Sequence, residues 1–390
     1  MKMPNTKSAI VIGAGPAGIL SAYLLTKQGW NVILLDKKKA ITRKVCGEYL
    51  TPMGVRVLKQ IGFYEELSKI GSPLYGMKIV SPGLHQILSF FPNDKKEQHG
   101  LSINRQYLDS FLLKKYLELP SAKFVSGTSV QAVEKTDGLW NVKTENGEFY
   151  RAELLIAADG LNSKVAKILG HNKINENGRI ALHCFLPLKN LCDYTRIGQM
   201  HIFKDGAYCG LDPISPNEIN FSIVCYKDQL KAFNSPTELM NYYIEQSPLL
   251  LGMFEKLNPS QEIKSLFPIS SSNSFLAGEQ LAYVGDAAGF LDPLTGEGMT
   301  YALSSAQLLA NELHLESDIG LALENYKKKK KQQNFQKGIL NRIFQYVIRS
   351  PFLCYLIANF LKKKQERANI FIGVVGNIYS PIQGLKKLLF

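Results

Sequence analysis

Only two tryptophans, six cysteines without a CxxC spacing and six scattered histidines occur among the 390 residues. Each scarcity excludes something. Cys46, Cys184, Cys192, Cys209, Cys225 and Cys354 lie mostly in apolar runs, which favours reduced thiols over a disulfide framework or a zinc site. No Ser/His/Asp constellation is legible, so a hydrolase triad is not expected, and neither is a metal site. The apolar stretch from Ile343 to Leu361 is broken by Arg349, Ser350 and Pro351, and its last piece, Phe352 to Leu361, has ten residues. A bilayer-crossing helix needs about 20. The first apolar run begins at about residue 8, so no secretory signal is expected before it, and a cytoplasmic location follows as an expectation.

Acidic charge is scarce in one place only. Residues 327–390 carry 14 Lys or Arg against the single acid Glu366, while the other 326 residues carry 32 of each sign, so the net charge of +13 sits in the tail. A solvated helix face accounts for such a tail, and so does contact with an anionic membrane from its inner side. No nucleic-acid-binding module accompanies it, so nucleic acid is not expected as a partner.

What is present begins at Ser8. A β-branched apolar run meets Gly13-Ala14-Gly15-Pro16-Ala17-Gly18, an amphipathic stretch runs to Gln28, and a second apolar run ends on Asp36. That order reads as strand, tight turn, helix, strand. Gly13 permits the turn, Gly15 lets backbone approach a pyrophosphate, and Gly18 lets the helix pack close to the strand. Asp36, 18 residues after Gly18, is placed to accept the hydroxyls of an adenosine ribose.

Farther along, Arg43 to Pro52 forms a loop with a small Cys46-Gly47 pair, suited to passing along a flat ring. Residues 53–70 are periodic like a helix, 75–92 read as two strands, and Arg105 opens a helix to about Leu119. Lys123 to Val133, Leu139 to Lys143 and Glu148 to Arg151 alternate like strands of a small antiparallel layer. Leu154 to Ala158 ends in Asp159-Gly160, with Ser163 able to cap a short helix. From about 175 to 268, well-spaced strands interrupted by a helix near Thr237 to Gln246 suggest an antiparallel sheet that walls a substrate cavity. Leu281 to Val284 then runs into Gly285-Asp286, and Gly296-Glu297-Gly298-Met299 opens a long helix. An acid at a strand end can take a ribityl hydroxyl. A helix start can aim N–H groups at the edge of a flavin that turns negative on reduction. Lys327 to Lys331 are expected to end a helix that begins near Leu321.

With these pieces in hand, the chain resembles the flavoprotein aromatic hydroxylase (group A monooxygenase) and geranylgeranyl reductase superfamily over nearly its whole length. The matching elements are Gly13 to Gly18 with Asp36, Cys46-Gly47-Glu48, the Arg105 helix start, Asp159-Gly160, and Gly285-Asp286 through Gly298. The resemblance implies an α/β architecture: a Rossmann-like FAD-binding fold of the glutathione-reductase type, with an inserted antiparallel β-sheet substrate domain and C-terminal helices. Residues 1–170 and 270–325 would form the FAD domain, 75–100 and 171–269 the substrate sheet, and 326–390 the basic tail. FAD would be held by Gly13, Gly15, Ala17, Gly18, Asp36, Cys46, Gly47, Arg105, Val130, Asp159, Gly285, Asp286, Gly296, Gly298 and Met299. Cys46, Tyr208 and Pro293 are the candidates for the flavin and substrate cavity.

The implied activity is oxidoreduction of a hydrophobic small molecule, with NAD(P)H as a transient reductant and O2 as co-substrate if the enzyme is a monooxygenase. Gly373-Val374-Val375-Gly376 lacks the spacing of a second nucleotide motif. Geranylgeranyl reductases carry a Tyr-x-Trp-x-Phe-Pro element; here Gly206 to Pro213 keeps Tyr208 and Pro213 but not the Trp or Phe. That favours monooxygenation over reduction of an isoprenoid double bond, and a flavin-bearing electron-transfer or binding module is the reading from another class. Trp30 and Trp140 stand far apart, unlike the paired tryptophans of flavin-dependent halogenases.

Overall fold

The computed structural model describes residues 7–92, 98–174, 178–188, 196–290, 294 and 296–389. Its organising element is a six-stranded sheet built around β1 (Ser8–Ile12) and β2 (Asn31–Asp36). Across it the strands run Ala277–Gly278, Leu281–Tyr283, Leu154–Ala157, β1, β2 and Lys123–Ser126, all parallel except the first. Both faces of β1 are covered, which is why its sequence is a continuous apolar run rather than an alternating one. On one face Ala9 and Val11 pack with Val32, Leu34 and Ile156 beneath helices; on the other, Ile10 and Ile12 pack with Val130, Trp140 and Val142 of a three-stranded antiparallel layer.

Helix α1 (Pro16–Lys27) starts with Pro16 in its first turn, where a missing N–H costs nothing. Its close fit to β1 depends on two glycines. Gly13 has φ +106°, and a Cβ there would lie 2.4 Å from the Ala158 carbonyl oxygen. A Cβ on Gly18 would lie 1.8 Å from the carbonyl oxygen of Gly13. Any side chain at either position would pry the turn open.

A second, seven-stranded sheet is ordered Lys264–Leu266, Arg179–Pro187, Glu218–Tyr226, Tyr208–Ser215, Ile197–Ile202, Gly76–Val80 and Gln86–Phe90. It is antiparallel but for one parallel pair, Gly76–Val80 with Ile197–Ile202, where a distant segment joins the edge. Alternation assigns its faces. Cys209, Leu211, Phe221, Ile223 and Cys225 face the helices Pro236–Glu245 and Pro248–Met253, while Tyr208, Gly210, Asp212, Asn220, Ser222 and Val224 face a cavity shared with the first sheet.

Two expectations need correction. Lys123 to Val133 is not one strand: Gly127, at φ +70°, turns the chain so that Lys123–Ser126 joins the parallel sheet and Val130–Thr136 the antiparallel layer. The lysine run does not end a helix either. One helix passes through it, Ile319–Ile348, because nothing breaks the pattern before Ser350-Pro351, where the Ser350 hydroxyl caps the next helix, Pro351–Lys362. Helices Gln365–Val375 and Pro381–Leu389 complete the tail. The tail is fastened to the body on one side: Ala322, Leu323 and Tyr326 are buried, the Tyr326 hydroxyl donates to the Tyr283 carbonyl at 2.7 Å, and Arg179 donates to Gln345.

Candidate active site

A cavity of about 920 Å³ lies between the carboxyl ends of the parallel strands and the inner face of the seven-stranded sheet. Open α/β sheets bind ligands at that edge, where β1 and the strands on either side of it end in turns.

The first wall is the start of α1. Gly15 occupies its N-cap, and no side chain caps the free N–H groups of the first turn. They and the positive helix end therefore remain available to an anion. Asp36 Oδ2 accepts the Ala14 N–H at 2.6 Å and Oδ1 accepts the Lys38 N–H at 2.7 Å, so the carboxylate that closes β2 also braces the glycine turn. Arg105 begins a helix capped by Asn104, whose Oδ1 accepts the Gln106 N–H. Its guanidinium lies 3.5 Å from Asp109, and a Cβ on Gly15 would stand 3.7 Å from Nη2. A paired, partly buried cation thus abuts open backbone.

Gly285, Asp286, Gly296, Gly298 and Met299 form the second wall. Gly285 donates its N–H to Ser305 Oγ at 2.9 Å, which fixes the turn. The Asp286 carboxyl is raised above its ordinary range by burial, against the opposing charges of Arg105, Lys330 and Lys44. Helix Gly298–Leu315 starts without a capping side chain, because Glu297 turns its carboxylate away to Lys337 Nζ and Asn377 Nδ2. Two basic or polar tail residues thereby hold this helix start open toward the cavity. Thr300 Oγ1 accepts the Thr51 N–H at 3.0 Å and ties it to the neighbouring helix Pro52–Gln60.

The third wall carries Cys46, Gly47 and Tyr208. The Cys46 carbonyl accepts Asn220 Nδ2 at 3.2 Å, pinning the loop to the sheet. Burial pushes the Cys46 thiol up to about 11, so it stays an S–H at neutral pH and is a lining group, not a thiolate nucleophile. Tyr208 is buried, with the Arg179 guanidinium 5.2 Å from its ring centroid.

Of the residues singled out from sequence, Gly13, Gly15, Ala17, Asp36, Cys46, Gly47, Arg105, Val130, Asp159, Tyr208, Gly285, Asp286, Gly296, Gly298 and Met299 converge on this cavity. Gly18 stands behind it, packing α1 onto the turn. Asp159 has a structural duty as well: Oδ2 accepts the N–H groups of Lys164 and Val165 and caps the helix Lys164–Ile168 together with Ser163. Pro293 lies outside the described residues. Sequence reasoning did not single out Tyr49, Lys44, Asp212 or Asn220, which also line the cavity. Strand alternation from Tyr208 could have found Asp212; nothing local marks Tyr49.

The donor set fits FAD. Two uncapped helix starts and Arg105 suit a pyrophosphate and the pyrimidine edge, glycine backbone suits a flat ring, and Asp286 suits ribityl hydroxyls.

Comparison with known proteins agrees. The family described as "FAD binding domain" matches residues 6–326, so the chain belongs to it. It is 25% identical to an FAD-dependent monooxygenase, nodM, of Hypoxylon pulicicidum, over 98% of this chain and 85% of that protein. It is 26% identical to a digeranylgeranylglycerophospholipid reductase of Methanococcus vannielii, over 83% of this chain and 80% of that protein. The fold matches Klebsiella pneumoniae HpxO, solved with FAD and uric acid, with a TM-score of 0.78 at 19% identity over 96% of this chain and 98% of that one.

Asp286→Ala is expected to weaken FAD binding by roughly ten- to a hundredfold, the range for a lost hydrogen bond to a charged group. Titration of the apoprotein with FAD, followed by flavin fluorescence, measures it; unchanged affinity would remove Asp286 from the ribityl contact.

Proposed function

With FAD-dependent oxidoreduction as the premise, we propose that the protein is a monooxygenase that uses NAD(P)H as a transient reductant and places one oxygen atom of O2 on a hydrophobic small molecule, aromatic, polyketide-like or lipid-like. The observation that carries this reading is the cavity face of the seven-stranded sheet. Tyr208, Gly210 and Asp212 stand in a row there, where the geranylgeranyl-reductase element has Tyr, Trp and Phe. A long isoprenoid loses its aromatic sheath at those two positions, and a shorter polar-tagged molecule gains a contact.

Bound FAD would supply the acceptance of hydride and the activation of oxygen. The chain supplies the rest. The α1 start and Arg105 would hold the phosphates, and the Gly298 helix start would favour negative charge at the pyrimidine edge. Met200, Val224, Leu266, Phe290 and Leu294 line the substrate side and keep it dry. Gly373 to Gly376 falls within and just after the helix Gln365–Val375, which makes it a poor phosphate loop and favours reductant binding over the flavin itself.

Purified holoenzyme is expected to consume O2 in proportion to NADPH or NADH when given an accepted substrate, with one oxygen atom recovered in the product. Anaerobic saturation of an isoprenoid double bond, without O2 uptake, would install the reductase reading instead. Reduced flavin that turns over no small molecule would leave an electron-transfer or binding module.

We also propose that the tail rests on an anionic membrane from its cytoplasmic side. Among the described residues no helix is long and apolar enough to cross a membrane. The face of Ile319–Ile348 exposes Phe335, Ile339, Ile343 and Tyr346 at helical spacing, and Pro351–Lys362 exposes Phe352, Tyr355, Leu356 and Phe360. Lys362, Lys363 and Lys364 follow the second stripe directly, and Lys386 and Lys387 stand in the last helix, each worth about 1 kcal/mol near an anionic surface. The protein is expected to float with phosphatidylglycerol liposomes and not with phosphatidylcholine liposomes, and replacing Lys362, Lys363 and Lys364 by Glu should release it. No flotation with either lipid, or flotation indifferent to the charge reversal, would count against the tail as a docking surface.

A further inference from the structure

Three tail residues meet the first turn of the helix Gly298–Leu315. The Glu297 carboxylate, at its start, accepts from Lys337 Nζ of the helix Ile319–Ile348 and from Asn377 Nδ2, in the turn after Gln365–Val375. Tyr301, one turn on, has two ammonium groups over its ring, Lys337 Nζ 3.8 Å and Lys330 Nζ 5.1 Å from the centroid. Asn377 sits at φ +60°, a left-handed position that asparagine tolerates better than most residues.

Fastening the tail does not require this chemistry. The Lys337 and Glu297 side chains are only 16% and 8% exposed, and a buried ion pair is often no more stabilising than well-packed apolar residues in its place. Burial lowers the Lys337 ammonium from its ordinary value, and the Glu297 charge opposes that. A carboxylate at a helix start is ordinarily drawn to the free N–H groups there, where donors and dipole both favour it. Lys337 and Asn377 hold it away, and Lys337 matches its charge as well.

Delivery of a hydride to FAD adds two electrons and one proton, so the reduced pyrimidine edge bears a negative charge that the oxidised edge lacks. An unmatched carboxylate beside that edge would oppose the reduced form alone, and N–H groups taken up by the carboxylate would be lost to it. Both effects lower the reduction potential. We infer that Lys337 and Asn377 are positioning residues that raise the reduction potential of the flavin, by keeping the Glu297 carboxylate paired and off the start of Gly298–Leu315. The role rests on that helix start facing the pyrimidine edge. It is the same whether the reduced flavin passes its electrons to O2, to a double bond or to a partner protein.

The test is the two-electron reduction potential of the holoenzyme, measured by anaerobic equilibration with a redox dye. Lys337→Met should shift the flavin about tenfold toward the oxidised form, or about 30 mV downward. Asn377→Gly removes the second donor at a backbone position that suits glycine, and should shift it the same way by about threefold. Lys337→Arg should keep the parent potential, and adding Glu297→Gln to Lys337→Met should restore it to within about threefold. If Lys337→Met fails to retain FAD, Asn377→Gly alone and with Glu297→Gln decides. A drop that survives Glu297→Gln, or loss of FAD affinity at an unchanged potential, would mark a merely structural clamp and overturn the assignment. Glu297→Gln by itself leaves the Lys337 charge unmatched and should raise the potential. A rise there with no change in Lys337→Met and Asn377→Gly would overturn the clamp but keep the helix start at the pyrimidine edge, whereas no shift in any variant would overturn both. Neither substrate nor O2 is present, so the outcome is separate from that of the oxygen-uptake experiment.

Discussion

Two helix starts without capping side chains open onto one cavity, and most of the structure is arranged to keep them so. A helix start normally borrows a Ser, Thr, Asp or Asn to satisfy its free N–H groups. Gly15 cannot supply one at the start of Pro16–Lys27, and Glu297 is drawn away from the start of Gly298–Leu315. Both sets of donors and both dipoles therefore point at the same space. An elongated ligand with negative charge at two separated places answers that demand, and FAD, with its pyrophosphate and its reducible pyrimidine edge, is such a ligand.

Keeping the two starts in place draws on different parts of the chain. At the first, Gly13 and Gly18 let β1, its turn and α1 approach to distances that no side chain tolerates, and Asp36 closes the turn through the Ala14 N–H. At the second, the clamp comes from the tail. Lys337 and Asn377 take the Glu297 carboxylate, and Lys330, only 3% exposed, adds its charge opposite Asp286. The basic tail thus has two faces: one braces the second helix start at the cavity, and the other shows apolar stripes to the outside. Loss of the tail would release Glu297 and with it the helix start that opens onto the cavity.

The parts of this arrangement legible in sequence are those whose physics is local. A glycine turn between an apolar strand and a helix, an acid at the next strand end, and a second glycine cluster opening a long helix each announce themselves within a few residues. They brought nearly all the expected cofactor residues to one cavity. Contacts made across long separations were not legible: Tyr49 is set by Gly100 and Gly296, and Glu297 by residues 40 and 80 positions away. The lysine run misled in the other direction. Charge suggests a helix end, whereas no breaker interrupts the helix and the Lys330 and Lys337 ammonium groups are taken up over the Tyr301 ring, 5.1 and 3.8 Å from its centroid. Gly127 is hidden in the sequence because its neighbours alternate well on both sides, and its positive φ marks where the chain passes from one sheet to the other.

The most direct measurement is a crystal structure of the holoenzyme at a resolution that separates the two ends of the cofactor. One FAD molecule is expected, its pyrophosphate meeting the N–H groups of the turn from Gly13 to Gly18 and its pyrimidine edge those of Gly298 and Met299. A flavin bound elsewhere, or one that touches only one of the two helix starts, would contradict that expectation.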